Sequence, residues 1–306
     1  MAGGGEKEAT LLGIRRNSSM IDKQISLQEL LEVGAHFGHQ PRRWNPRMKP
    51  YLYGNRDGVH IFDLVKTKKL LEDACEFIKE QIVEGKVIVF VGTKRQAADI
   101  IREEAKRAEV PYVSQRWLGG TITNWEQIRK SVKKLADMKA KKETGGYDKY
   151  TKKENILIDR EIARLDKFFG GLSELHKIPD VLFVVDVKRE EAAIKEALKV
   201  SIPIVAMVDS NSDPTMIDWV IPINDDAVRS VKLVVSRVAD AVIEGRQIGK
   251  KRTEKSDKRK SAPKKEPKET PAKESKKSKV QERKAKETKI KKNSKKTPTT
   301  KKISTK

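Results

Sequence analysis

Apolar positions along this chain change their period several times, and each change marks an element. Three short runs are apolar at every position: Val87–Val91, Val181–Val185 and Ile204–Val208. Runs of that length without a polar break suit strands buried on both faces. Elsewhere the period lengthens. Leu70, Leu71, Ala74, Phe77, Ile78 and Ile82 recur at helical spacing and predict a helix from about Thr67 to Val83. Similar stripes predict helices over about 96–108, 190–199 and 227–243. Val59–Leu64, Pro111–Val113 and Trp219–Ile221 read as shorter strands, the second of them at an edge. Ser26 with Glu29 three residues on is a capping-box signature, and opens a short helix ending near Gly34. A turn-rich basic loop, His36 to Gly58, follows it. Strands alternating with helices at this spacing predict a three-layer, doubly wound α/β fold of Rossmann or flavodoxin-like type, with a mainly parallel sheet.

One stretch breaks the alternation. Trp125, Ile128, Val132, Leu135 and Met138, then Ile158, Ile162, Leu165, Phe169 and Leu172, follow spacings of three and four. That is the seam of a coiled coil, and Gly145 and Gly146 supply a turn between the halves. The pattern predicts a protruding antiparallel coiled-coil hairpin over about 124–172, each arm reaching roughly 25–30 Å. Its outer faces carry Arg129, Lys130, Lys133, Lys134, Lys139, Lys141 and Lys142.

Charge divides the chain into domains. The 306 residues carry a formal net charge of +23. Residues 250–306 hold 25 Lys+Arg against 7 Asp+Glu, a net of +18, which leaves +5 for the rest. The basic stretch has no aromatic residue and few apolar ones, so burial cannot offset the entropy of folding. Residues 249–306 are therefore expected to be a disordered Lys-rich tail, attracted to nucleic acid without regard to sequence. Residues 1–24 read as a flexible extension in which Gly3 to Gly5, Glu6 and Glu8 argue against a signal peptide. The folded domain is expected at 25–248. No apolar run is long enough to span a bilayer, so no membrane partner is expected. A lone cysteine, Cys75, excludes a disulfide framework and a cysteine-based zinc site.

An α/β sheet invites a nucleotide, but the motifs disagree. Val91-Gly92-Thr93-Lys94 lacks the upstream glycine and the order of a phosphate loop. No G-x-G-x-x-G or G-x-S-x-G follows a strand. Carboxylates do stand at strand ends: Asp63, Asp186 and Asp209, at the edge where open α/β sheets place ligands. A histidine of the loop, His36 or His39, with two of them makes an N/O ligand set for a divalent ion. Capping helices and ordering loops is the competing role.

Clusters of cations with tryptophan point to RNA. The loop 40–50 carries Arg42, Arg43, Trp44, Arg47 and Lys49 between prolines. Lys94 and Arg95 stand where a helix opens, and Arg116 and Trp117 precede Gly119-Gly120. Cations serve phosphates, and Trp or an Arg plane stacks on an unpaired base.

These stretches carry a resemblance. Gly34-Ala35-His36-Phe37-Gly38-His39-Gln40, Trp44-Asn45-Pro46-Arg47-Met48-Lys49-Pro50-Tyr51, Phe90-Val91-Gly92-Thr93-Lys94-Arg95, Arg116 through Asn124, and Val208-Asp209-Ser210-Asn211-Ser212-Asp213-Pro214 stand in order. Together they closely resemble the bacterial-type small-subunit ribosomal protein S two family, over roughly residues 24–248. The resemblance implies a structural ribosomal protein, not an enzyme, that binds small-subunit ribosomal RNA at the solvent side of the head–body junction. It implies neighbouring small-subunit proteins as partners, including ribosomal protein S one, and a cytoplasmic ribosome, with an organellar one left open. RNA contacts are expected at Arg42, Arg43, Trp44, Arg47, Lys49, Lys94, Arg95, Arg116, Trp117 and Asn124. No cofactor is required. The resemblance adds a zinc or similar divalent ion, for which His39, Asp186 and Asp209 are the expected ligands. A nucleotide-dependent α/β enzyme is the alternative. The N-terminal extension and the Lys-rich tail depart from the family pattern.

Overall fold

The computed structural model describes residues 25–260. The extension expected at 1–24 and residues 261–306 of the disordered tail expected at 249–306 lie outside the described residues, whereas residues 249–260 of that expected tail are helical. The chain divides into two units, 1–258 and 259–306, and the architecture is that of the first.

Five parallel strands form the central sheet: β3 (Ile88–Val91), β4 (Tyr112–Val113), β5 (Val181–Val185), β6 (Ile204–Val208) and β7 (Trp219–Pro222), in the order β4-β3-β5-β6-β7. Every residue of β3, β5 and β6 is buried. Alternate side chains leave a strand on opposite faces, and here they feed two separate cores. Ile88, Phe90, Phe183, Val205 and Met207 pack with α2 (Leu64–Val83), α3 (Arg95–Arg107) and α7 (Val228–Lys260). Val89, Val91, Leu182, Val184 and Ala206 pack with α4 (Trp125–Glu143), α5 (Lys152–Phe169) and α6 (Glu191–Lys199). Helices on both faces of a parallel sheet make the expected three-layer α/β fold. Among the described residues, no helix is long and apolar enough to cross a membrane.

Two elements differ from expectation. The loop 36–58 contains a strand, β1 (Leu52–Arg56), antiparallel to β2 (Val59–Phe62). Asp57 and Gly58 join them with φ of 52° and 76°, the paired left-handed residues that a two-residue hairpin turn requires. The last helix, expected to stop at Ile243, runs on to Lys260. Lys, Arg and Glu are good helix formers, and they dominate 250–260.

Helices α4 and α5 lie where the heptad pattern placed them. Ile128, Val132, Leu135, Leu165 and Phe169 are buried in the second core. Thr151 opens α5 with a capping box to Glu154. Lys134, Lys139 and Lys142 pair with Glu161, Asp166 and Asp159 of α5, so three of the expected outer cations bind the helices to each other.

Candidate nucleic-acid interface

The strand order reverses direction between β3 and β5. The chain passes from β3 outward to β4, then returns to the other side of β3 with β5. Loops following such a switch point diverge and leave a crevice at the carboxyl edge of the sheet. The polar residues of this chain converge along that edge.

Lys94 is the centre of the first cluster. It is 9% exposed. Its Nζ lies 2.6 Å from carboxylate oxygens of Asp225 and Asp226 and 3.4 Å from Asp186. Burial disfavours the ammonium, but the surrounding carboxylates reverse this and hold its pKa above the usual lysine value. Asp225 is almost fully buried. Desolvation, then repulsion from Asp209 and Asp186, pushes its carboxyl up to about 7 against the pull of Lys94. Lys94 therefore fixes the ends of β3, β5 and β7 together. It is not presented to a phosphate, contrary to the expectation for this residue.

The loop after α1 (Leu27–Glu32) closes over the end of β6. His39 Nδ1 lies 2.9 Å from Asp209 Oδ1, and its backbone N–H donates to Ser210 Oγ at 2.7 Å. The Asp209 hydrogen bond outweighs burial and raises the His39 pKa. Asn45 N–H donates to the Ser210 carbonyl at 2.7 Å. Gly38 is needed here, since a Cβ would meet Ser210 Oγ at 2.8 Å. The following loop is thus pinned to the sheet edge. Arg42, Arg43, Arg47 and Lys49 stand exposed on it. Arg47 is paired with Asp213, while Trp44 is half-buried against His60 at a ring distance of 4.7 Å.

Expected metal ligands divide. His39, Asp209 and Asp226 offer ligand atoms within 4.8 Å of one another. Asp186 is outside that group, its carboxylate 3.4 Å from Lys94 Nζ. Asp226 takes its place: His39 Nε2 lies 3.4 Å from its Oδ2. One imidazole and two carboxylates form a donor set that suits a divalent ion. Nearby, the Asp225 Oδ2 atom is buried without a hydrogen-bond partner. Asp63 took the capping role, accepting from the N–H groups of Val65 and Lys66.

The loop 116–124 is organised by a residue that carries no motif, Glu196. Glu196 of α6 is 8% exposed. It accepts from Trp117 Nε1 at 3.1 Å and from the N–H groups of Gly120 at 2.7 Å, Ile122 at 3.0 Å and Thr123 at 3.3 Å. Burial raises the Glu196 pKa, but these donors, led by Ile122 and Gly120, more than cancel it and hold the carboxyl below its usual range. Trp117 is 7% exposed and belongs to the core. Its indole cannot stack on a base, so its expected RNA contact becomes a fold contact. Arg116 and Asn124 remain exposed, and the Asn124 side chain makes no cap to α4. Arg95, at the start of α3, is exposed as well. Glu196 had a signal in the sequence: within α6 it is the one acid buried with Ala193, Ile194 and Ala197.

The edge of the sheet therefore combines buried polar anchors with exposed cations in ordered loops. A family model described as ribosomal protein S2 matches residues 30–245. Curated relatives named small ribosomal subunit protein uS2 are 53% identical over 223 residues in Oenococcus oeni and 52% over 223 in Coprothermobacter proteolyticus. Both alignments cover 73% of this chain, and 86% and 83% of those proteins. The Synechocystis relative of the same name is 54% identical over 222 residues, covering 72% of this chain and 82% of its own. With over half of its length matched by the family model, and with relatives above 50% identity across most of theirs, this chain belongs to the ribosomal protein S2 family.

Proposed function

We propose that the chain is a structural constituent of the small ribosomal subunit that binds the subunit's ribosomal RNA and takes no catalytic role. The observation that carries this reading is the exposure of Arg42, Arg43, Lys49 and Arg116 on loops tied to the carboxyl edge of the sheet, with Arg95 exposed at the start of α3. Cations on ordered loops meet phosphates at little cost in entropy. The names of the relatives support the assembly.

The nucleotide-dependent enzyme is disfavoured by Lys94. A phosphate loop turns its lysine toward the phosphates, whereas this one is enclosed by three carboxylates.

We place the RNA at the head–body junction and a neighbouring small-subunit protein, ribosomal protein S one, on the α/β domain, as the family resemblance implies. Helices α4 and α5 would act as a coiled-coil arm, and the Lys-rich segment beyond Lys260 as a second, sequence-indifferent attraction to RNA. His39, Asp209 and Asp226 would hold a divalent ion such as zinc. Its charge would tie the loop 36–49 to the ends of β6 and β7.

Gradient fractionation of ribosomal particles tests the assembly. The chain is expected in the small-subunit peak and to leave it progressively as salt is raised. Absence from that peak at low salt rejects the reading.

A further inference from the structure

The crevice between β3 and β5 holds an arginine that neither the motifs nor the resemblance singled out. Arg189 lies in the turn after β5, three residues beyond Asp186. Asp186 has a left-handed φ of 69°, uncommon for a residue with a side chain and typical of tightly specified turns. The turn is closed by the Arg189 N–H, which donates to Asp186 Oδ1 at 3.1 Å and to the Asp186 carbonyl at 3.2 Å. Across the crevice, Arg189 Nε donates to Thr93 Oγ1 at 3.1 Å. The Thr93 hydroxyl and N–H in turn donate to Glu190, which is 2% exposed. A chain of hydrogen bonds from a buried carboxylate thus orients the guanidinium through its Nε edge.

That leaves the other edge of the fork open. Among the described residues, neither Nη atom of Arg189 has an acceptor, and no carboxylate lies within ion-pair distance of it. Three other arginines of the domain differ: Arg47 is paired with Asp213, Arg107 with Asp240 and Glu104, and Arg246 with Glu109. The three acids nearest in sequence are already occupied, Glu190 by Thr93, Glu191 by Lys195 and Asp186 by Lys94. Lys188 precedes Arg189 in the turn and Arg95 lies two residues after Thr93; both are exposed, and neither has an ion pair among the described residues.

We propose that Arg189, flanked by Lys188 and Arg95, is a phosphodiester clamp that grips the ribosomal RNA backbone at the β3/β5 crevice. A guanidinium fixed at Nε presents its two Nη groups to two phosphate oxygens at once, in the planar geometry that such pairs favour. The orientation exists before binding, so little side-chain entropy is lost on contact. The position agrees with the rule that open α/β sheets bind ligands at the switch point. The clamp rests on the ribosomal reading.

The test uses the full chain, a small-subunit ribosomal RNA transcript and filter binding across a salt series. Arg189→Ala is expected to weaken binding by about tenfold and to lower the salt slope by about 1. Arg189→Lys keeps the charge without the fork and should recover only part of the affinity. Arg107→Ala, which removes an already paired cation, should bind as the parent does. Thermal melting of each variant checks the fold, and Arg189 is exposed enough for unchanged melting to be expected. Parent-like affinity and slope in Arg189→Ala overturn the clamp while leaving the ribosomal reading intact. A parent chain that does not bind the RNA at all sinks that reading and the clamp with it. Calorimetry with inorganic phosphate separates the sources. If Arg189→Ala abolishes phosphate binding while RNA affinity is unchanged, the site serves a free phosphate and the RNA assignment fails.

Discussion

The loops 40–50 and 116–124 look alike in sequence, each joining arginine to tryptophan, yet the fold uses them oppositely. In the first, the cations point outward and Trp44 is half-covered by His60. In the second, Trp117 is buried and its indole N–H, with three backbone N–H groups, converges on Glu196. The difference lies in what the rest of the chain supplies. A buried carboxylate opposite a loop turns its donors inward and makes it an anchor. A loop held by backbone hydrogen bonds to Ser210, the buried Met48 and the Arg47–Asp213 pair leaves Arg42, Arg43 and Lys49 exposed. Composition finds both loops, and only the packing separates the one whose cations stay exposed from the one that anchors the fold.

That contrast breaks first at Trp117. Trp117→Ala should cost about 3–5 kcal/mol of stability in urea unfolding, as truncations of buried aromatics do. Trp44→Ala should cost clearly less, and equal losses would erase the distinction. Glu196→Ala comes next, at about 2–3 kcal/mol, because it leaves buried donors without an acceptor. Glu196 also gives the contrast a pH dependence. Its folded pKa lies below the usual carboxyl value of about 4.5, so its stabilisation is present above that value and fades as pH falls through the folded pKa. Glu196→Gln should therefore be less stable than the parent at neutral pH, with the gap closing in acid. A gap that stays constant across an acid titration would show that the charge is not what organises the loop.

Smaller effects sharpen the other side. Arg42→Ala with Arg43→Ala should leave melting unchanged and lower the salt slope of RNA binding by about 2, one contact for each cation. A drop in melting temperature would place these arginines with the anchors. Arg47→Ala should have the smallest effect on binding, since Asp213 already neutralises it, and filter binding beside the Arg42/Arg43 variant makes the comparison.

Much of the scaffold was legible because strands buried on both faces write continuous apolar runs. Residues 181–185 and 204–208 are strands at those bounds. The β1–β2 hairpin was hidden by its exposure: four of the five residues of β1 face solvent, so no apolar alternation marks it, although Asp57-Gly58 announced the turn. The site was legible only in part. Lys94, Asp186 and Asp209 could be placed at strand ends, because each follows an apolar run. Asp225, Asp226 and Glu196 could not be matched to partners, since Lys94 meets Asp225 across 131 residues and Trp117 meets Glu196 across 79. Local periodicity carries no information about such pairings.

Those long separations also set a timetable for synthesis. Residues up to Asn124 are made well before Glu196 emerges, and Lys94 waits for Asp225 and Asp226 near the start of α7. Chains grow at about 5–20 residues per second, so the loops 93–95 and 116–124 spend several seconds without the carboxylates that hold them. Until the final third of the domain has been translated, a nascent chain displays an unneutralised lysine and an exposed tryptophan at the incomplete sheet edge. The interval ends when that edge closes, and chaperone access to the half-made domain should end with it.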